Sequence, residues 1–181
     1  MTSVQDFACS ETLRNGLVVT IRALRPDDRE RVAAAVKQLD KESVYTRLFS
    51  YRKELTDAGL TRIMTIDPAR EVALLVTVGT GPDEVAIASG RCIDSGTTDA
   101  DKTAEVAFVV EEDYQGLGIA GRLLGHLARI ARERGVTAFE AEVLAENKSM
   151  LAVFARSGLP MQQRREGGVV NVTLSLKPAR P

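Results

Sequence analysis

The sequence predicts a single α/β (α+β) domain, a mixed central β-sheet flanked by helices, and three observations carry that reading. Strand-like and helix-like segments follow one another in the order βαααβββαβαβ, a succession that lays helices against one sheet of mixed strand directions. The chain has 181 residues, 44% of them apolar and only 4% aromatic, which is one domain's length with an aliphatic core. A glycine-rich turn, Gln115-Gly116-Leu117-Gly118-Ile119-Ala120-Gly121, joins an apolar run, Ala104 to Val110, to an amphipathic helix.

Residues 1–16 are polar and unpatterned and are predicted to be a flexible tail, leaving 17–181 as the folded domain. Leu17 to Ala23 reads as the first strand. A helix follows, opened by Pro26 and by Asp27 with Glu30 in capping-box spacing, and its buried stripe is Val32, Val36 and Leu39. A short second helix is predicted from Glu42 to Ser50, and a third from Thr56 to about Thr65, ended by Asp67-Pro68. Glu71 to Val78 is strongly β, Gly79 to Asp83 is a turn, and Val85 to Ile93 is the next strand. After a polar loop, Asp94 to Lys102, come the strand Ala104 to Val110, the glycine turn and a helix to about Arg134. On that helix Ile119, Leu123, Leu127 and Ile130 face the core, while Arg122, Arg129, Arg132 and Arg134 face water. A strand (Ala138 to Leu144), a helix (Asn147 to Arg156, stopped by Gly158) and a last strand (Val169 to Leu176) complete the chain.

Charge and cysteine usage narrow the function classes. Lys and Arg number 24 against 25 Asp and Glu, so no basic excess argues for nucleic acid or an anionic membrane surface. The N-terminus lacks a signal-peptide pattern and no apolar run has the length of a membrane span, so a cytoplasmic protein is expected. Cys9 and Cys92 have neither CxxC spacing nor companion histidines, so no metal site is expected. Cys92 reads as a small buried hydrophobe within a strand. His126, near Leu123 and Leu127, reads as surface or packing.

The glycine turn opens a helix, where unpaired main-chain N–H groups meet the positive end of the helix dipole. Missing Cβ atoms let a ligand approach the backbone, and together these features favour phosphate. Gly116, Gly118 and Gly121 satisfy G-x-G-x-x-G, and Glu140 and Glu142 stand about twenty residues on, as a dinucleotide fold requires. The context argues against that fold. Glu111 to Gln115 separate the strand from the first glycine, and only about sixty residues follow, too few for further βα repeats. A P-loop is excluded because no Lys-Ser/Thr pair ends the run.

The same residues spell Gln-x-x-Gly-x-Ala at Gln115, Gly118 and Ala120. In this the strand, loop and helix resemble the acetyl-CoA site of the GNAT N-acetyltransferase superfamily, and the resemblance runs from about Val18 to Leu176. Ile21 to Asp28, Glu42 to Phe49, and Ile66-Asp67 with Arg70 to Leu74 resemble the acetyltransferase domain of bacterial Pat-type protein lysine acetyltransferases. Those enzymes modify a lysine of AMP-forming acyl-CoA synthetases. Their domain is often fused to a synthetase-like or cyclic-nucleotide-binding module. This chain has neither, and fused regulatory input is expected to be absent.

The resemblance implies direct acetyl transfer from acetyl-CoA as cosubstrate to an amine, without a metal. Expected partners are acetyl-CoA and a protein substrate of the acyl-CoA-synthetase kind or a small amine, with no nucleic acid and no membrane, the protein itself being a monomer or homodimer. A lysine amine is protonated at neutral pH, its pKa being about 10.4, so a general base is required. Glu105 is the candidate: it interrupts an apolar strand between Ala107, Val109 and their neighbours, where aliphatic surroundings should raise a carboxylate pKa. Pat-type enzymes carry a glutamate at this place. The solvated outer face of an edge strand is the other reading of the same residue, and Glu140 and Glu142 read as such a face.

In GNAT folds a bulge in this strand frees main-chain groups for the thioester and pantetheine, and Phe108, Val109 and Val110 are the matching positions. The pyrophosphate falls to Gln115, Gly116, Leu117, Gly118, Ile119, Ala120, Gly121 and Arg122. Asn147 is a favoured helix N-cap and matches the asparagine that contacts the pantetheine arm. Phe154 stands where many GNAT enzymes place a proton-donating tyrosine, so no general acid is assigned; Tyr114 is a spare hydroxyl. The acceptor pocket is expected at Ser43, Tyr45, Arg47 and Phe49, where Tyr45 and Phe49 fit a core stripe equally. The alternatives are a small-molecule amine acetyltransferase of the same fold and a non-catalytic acyl-CoA sensor.

Overall fold

A computed structural model describes residues 3–38, 57–95 and 99–178. The predicted helix from Glu42 to Ser50, with Ser43, Tyr45, Arg47 and Phe49, lies outside the described residues, as does Leu39. The strands are β1 (Ala8–Thr12), β2 (Val18–Ala23), β3 (Glu71–Val78), β4 (Val85–Asp94), β5 (Thr103–Val110), β6 (Ala138–Leu144), β7 (Met161–Glu166) and β8 (Val169–Ser175). The α-helices are α1 (Arg29–Gln38), α2 (Asp57–Met64), α3 (Ile119–Glu133) and α4 (Lys148–Ala155). The strands form one sheet in the order β1-β2-β3-β4-β5-β6-β8-β7. The β5–β6 pair is parallel and the others are antiparallel.

Two strands were not expected from the sequence. The stretch read as a flexible tail contains β1, which pairs with β2 from Ala8/Arg22 to Thr12/Val18. Residues after Gly158 contain β7, paired with β8. Both are edge strands with polar sequences, ACSET and MQQRRE, so neither shows the apolar alternation that marks a strand with one buried face.

Alternation in the central strands builds two apolar layers on opposite faces of the sheet. The larger packs Val72, Leu74 and Val76 of β3 with Ala104, Val106 and Phe108 of β5 beneath Ile119, Leu123, Leu127 and Ile130 of α3, the face the periodicity predicted. Phe154 of α4 closes this layer. On the other face Leu75 and Ala86 pack with Val32 of α1 and Leu60 of α2. A β-bulge makes the layers compatible: Val76 opposes Ala88 and Thr77 opposes Ala86, leaving Ile87 as the extra residue. Ile87 and Ala88 therefore both join the larger layer, which adjacent residues of a regular strand cannot do. A Cβ on Gly90 would lie 3.1 Å from Phe108 and 3.2 Å from Leu127, so this glycine lets both pack tightly onto β4. Cys92 is buried as expected, and burial pushes its thiol up to about 11.

Helix α1 starts differently from the predicted capping box. Pro26–Asp28 forms a 3-10 turn, and the buried Asp28 carboxylate accepts the Arg25 main-chain N–H at 2.7 Å. The same carboxylate receives a bidentate pair from Arg22, at 2.8 and 2.7 Å. Glu84 accepts from Arg22 at 2.9 Å, and Arg31 adds a bond to Asp28 at 3.2 Å. On α3, Arg129 and Arg132 are exposed, as read from the sequence, but Arg122, Arg132 and Arg134 reach main-chain carbonyls of Thr12, Leu176 and Pro68.

Candidate active site

The site begins where two strands part. β5 and β6 pair only from Thr103/Ala138 to Glu105/Glu140. The β4–β5 ladder continues in unbroken register from Asp94/Ala104 to Ala88/Val110, and Glu111 N–H donates to the Ile87 carbonyl at 2.9 Å. Counting back by twos, Val109 and Ala107 spend their main-chain groups on β4, while Phe108 and Val110 aim theirs into the opening. The expected bulge in β5 is thus absent: main-chain groups are freed by strand separation, and Val109 is not among them. The Gln115 side-chain amide donates to the Val110 carbonyl at 3.2 Å and ties the glycine turn to the end of β5.

The opening holds a cleft of about 50 Å³ lined by Val106, Phe108, Val143, Asn147, Met150 and Phe154, among others. The Phe108 and Phe154 rings meet there at 6.1 Å between centroids, tilted by 59°. Asn147 caps α4, its side chain accepting the Met150 N–H at 3.2 Å, so its helix-capping role and its place on the cleft wall coexist. A second, apolar cavity of about 120 Å³ lies on the other side of β5, where Val109 meets Val32 and Val36 of α1 and Ile63 of α2.

At the glycine turn, φ is +78° at Gly116 and +87° at Gly118, the left-handed region that glycine adopts without penalty. Gly118 is the N-cap of α3 and brings no side chain to it. Arg122 N–H to the Gly118 carbonyl, 3.2 Å, is the first helical bond. The N–H groups of Ile119, Ala120 and Gly121 therefore have no intrahelical acceptor. The side chains of Ile119 and Ala120 are buried and Leu117 packs against the core, so only their main chain is available to a ligand. A Cβ on Gly116 or Gly121 would meet nothing within 4 Å, leaving space above the turn.

Arg122, expected at the pyrophosphate, is turned onto β1, paired with Glu11 and bonded to the Thr12 carbonyl at 3.0 Å. The cation beside the turn is Arg14, whose guanidinium lies 3.7 Å from where a Gly118 Cβ would stand. Sequence reasoning passed over Arg14 because it lies in a stretch with no periodicity.

Glu105 stands at the last paired position before the strands separate, opposite Ile93 on one side and Glu140 on the other. Its side chain is exposed, not enclosed by aliphatic groups, because it projects from the face that α3 and α4 do not cover. Glu140 and Glu142 are exposed on the same face, as read from the sequence. Tyr114 is partly buried against the core.

A glycine-turned helix N-terminus beside a splayed strand pair defines a class. The family model described as the acetyltransferase (GNAT) family matches residues 39–159, and the chain belongs to that family. Within it, the chain is 34% identical over 167 residues to the acetyltransferase Pat of Mycolicibacterium smegmatis, covering 92% of this chain and 48% of that protein. It thus spans about half the length of that relative. It is 32% identical over 143 residues to the acetyltransferase PA5475 of Pseudomonas aeruginosa, covering 77% of this chain and 74% of that protein. The crystal structure of the GNAT domain of S. lividans PAT superposes with a TM-score of 0.83 at 34% identity, covering 93% of this chain and 96% of that one. The fold also matches yncA of Salmonella typhimurium, solved with its cofactor acetyl-CoA, at a TM-score of 0.69 and 18% identity over 90% of this chain and 96% of that one. Among the described residues no helix is long and apolar enough to cross a membrane.

Proposed function

We propose that the chain transfers acetyl from acetyl-CoA to the ε-amine of a protein lysine, with Glu105 as general base. One observation carries the reading: beyond Glu105 the parting of β5 from β6 leaves the outward main-chain groups of Phe108 and Val110 unpaired beside a cleft lined by Phe108 and Asn147, and the same strand leads through the glycine turn into α3, which starts with no side-chain cap. The donors of Ile119, Ala120 and Gly121 suit a pyrophosphate, with Arg14 adding positive charge from β1's side. Phe108 and Val110 then serve the pantetheine and the thioester, where main-chain N–H groups stabilise the negative charge that develops on the carbonyl oxygen. Acetyl-CoA supplies an activated thioester.

Glu105 lies on the face opposite α3, so an acceptor lysine reaches the carbonyl from the side away from the helix that binds phosphate. Glu105 takes the ammonium proton, directly or through one water, and the freed amine forms the new C–N bond as the C–S bond breaks. Phe154 stands where a hydroxyl donor would serve the leaving group, and it has no proton to give. The sulfur departs as thiolate, which its pKa of about 8.5 permits, and the second proton that the nitrogen sheds on becoming an amide goes to that thiolate or to water. Identity of 34% with Pat and with the S. lividans PAT domain supports a protein lysine as the acceptor, and an AMP-forming acyl-CoA synthetase as the protein that carries it. Two cysteines without a disulfide accord with a cytoplasmic setting.

The test is incubation with acetyl-CoA and a purified AMP-forming acyl-CoA synthetase, followed by mapping of acetyl-lysines by mass spectrometry. Acetylation of the synthetase's catalytic lysine is expected, falling by roughly 10²–10⁴-fold in Glu105→Gln with acetyl-CoA affinity unchanged. Tight acetyl-CoA binding without transfer to the synthetase would overturn the protein-lysine reading. Transfer undiminished in Glu105→Gln would overturn the base.

A further inference from the structure

Strand β1 presents Cys9 and Glu11, two residues apart and so on one face, towards helix α3. Their register partners Ile21 and Val19 are core residues, so an inward-facing pair of apolar side chains would be the ordinary choice here. Instead a thiol and a carboxylate meet His126, from a position 117 residues away from Cys9 in the chain. Cys9 Sγ lies 3.7 Å from His126 Nε2 and 3.9 Å from Glu11 Oε1. Glu11 Oε1 and His126 Nε2 share a hydrogen bond, and all three donor atoms lie within 4.8 Å of one another.

We propose that Cys9, Glu11 and His126 form a binding site for a zinc-class divalent cation. The donor set is one thiolate, one imidazole and one carboxylate, a combination that selects zinc over calcium or magnesium. A tetrahedral ion would hold sulfur and nitrogen about 3.5 Å apart, close to the spacing already present. Only the Glu11–His126 contact must widen, as the ion takes the place of the hydrogen between them. The carboxylate is oriented beforehand, because its other oxygen, Oε2, is paired with Arg122. The His126 ring is set against Phe7, 5.3 Å between centroids, and Arg129 lies over the other ring at 5.6 Å.

On binding, the Cys9 S–H proton passes to solvent as the S–metal bond forms, and the proton that His126 Nε2 shares with Glu11 leaves to solvent or is replaced by one on Nδ1, so that Nε2 offers its lone pair to the ion while Nδ1 carries the proton. Water takes the fourth position. All three ligands are partly accessible, so an ion can enter. The bound ion would cross-link edge strand β1 to α3 about two turns below the Gly118 turn.

The site is tested on the full chain with Co²⁺ as a spectroscopic probe and Zn²⁺ by calorimetry. One ion per chain is expected, with a near-ultraviolet thiolate-to-cobalt charge-transfer band and a raised melting temperature in Zn²⁺. Cys9→Ser removes the band, and His126→Ala weakens binding by at least the roughly 10–100-fold that losing an outer-shell partner costs. Melting curves without metal check that both variants fold. Absence of the band in the parent protein, or zinc binding that neither variant weakens, would overturn the proposal. Neither residue belongs to the acetyl-transfer site, so this outcome is independent of that reading.

Discussion

The two helices that open towards the sheet, α1 and α3, begin in opposite ways. At α1 the main-chain N–H of Arg25 is taken by Asp28, and Asp28 in turn by Arg22, with Glu84 and Arg31 completing a closed set of charges. At α3 the cap is a glycine in the left-handed region, no side chain accepts from the first turn, and space stands open above it. The same unsatisfied donors are a structural problem solved internally in one place and left open in the other. Free helix donors mark a site only where the protein supplies no acceptor of its own.

The comparison breaks hardest at α1. Replacing Arg22 with Leu leaves Asp28 buried and charged without its partner, since the two side chains are 5% and 0% exposed. We expect a loss of about 3–5 kcal/mol in urea denaturation. Arg31 and the Arg25 N–H still face Asp28 in this variant, so a loss under about 1 kcal/mol would show that they suffice.

Acid acts on the same network. Burial by itself would raise the Asp28 pKa, but the Arg22 bonds, followed by the Arg25 N–H and the charges of Arg22 and Arg31, outweigh it and hold the carboxyl below its ordinary 3.8. Glu84 is likewise held below its ordinary 4.5, burial being outweighed by the hydrogen bonds from Arg22 and by the charges of Arg22 and Arg31. Both folded-state values are depressed, so their stabilisation is complete above the ordinary carboxylate values and fades as pH falls through the folded ones. The urea midpoint should drop as pH falls below 4.5, and Asp28→Asn should flatten that dependence.

At α3 two glycines separate geometry from ligand access. Gly118→Ala forces a side chain into a left-handed conformation and should cost about 1–2 kcal/mol. Its acetyl-CoA affinity should fall with it. Gly121→Ala lies within the helix, exposed and unobstructed, and should stabilise the fold by up to about 1 kcal/mol. If the cleared space above the turn serves phosphate, Gly121→Ala weakens acetyl-CoA binding while raising the melting temperature. Unchanged binding in both variants would remove the turn from the site.

Local pattern made much of this molecule legible. Strands β3 to β6 and helices α3 and α4 follow from alternation and 3.6-residue periodicity, and the glycine turn from residue type alone, because each of these segments carries its own record of which face is buried. Glu105, Val110 and the cleft residues Phe108 and Asn147 follow from their places in the strand–turn–helix sequence. Edge strands β1 and β7 carry no such record, since β1 turns Cys9 and Glu11 inward where apolar side chains would have shown an alternation, and β7 is exposed along nearly its whole length. What only tertiary structure decided are the relations between distant segments. The parting of β5 and β6 leaves the outward main-chain groups of Phe108 and Val110 unpaired while those of Val109 bond β4, the placement of β1 pairs Arg122 with Glu11, and Arg14 comes to lie beside Gly118. The Arg22–Asp28–Glu84 charges and the Cys9–Glu11–His126 cluster arise in the same way. Their reason is physical: long-range pairing is set by how whole faces pack, and no window of neighbouring residues contains that information.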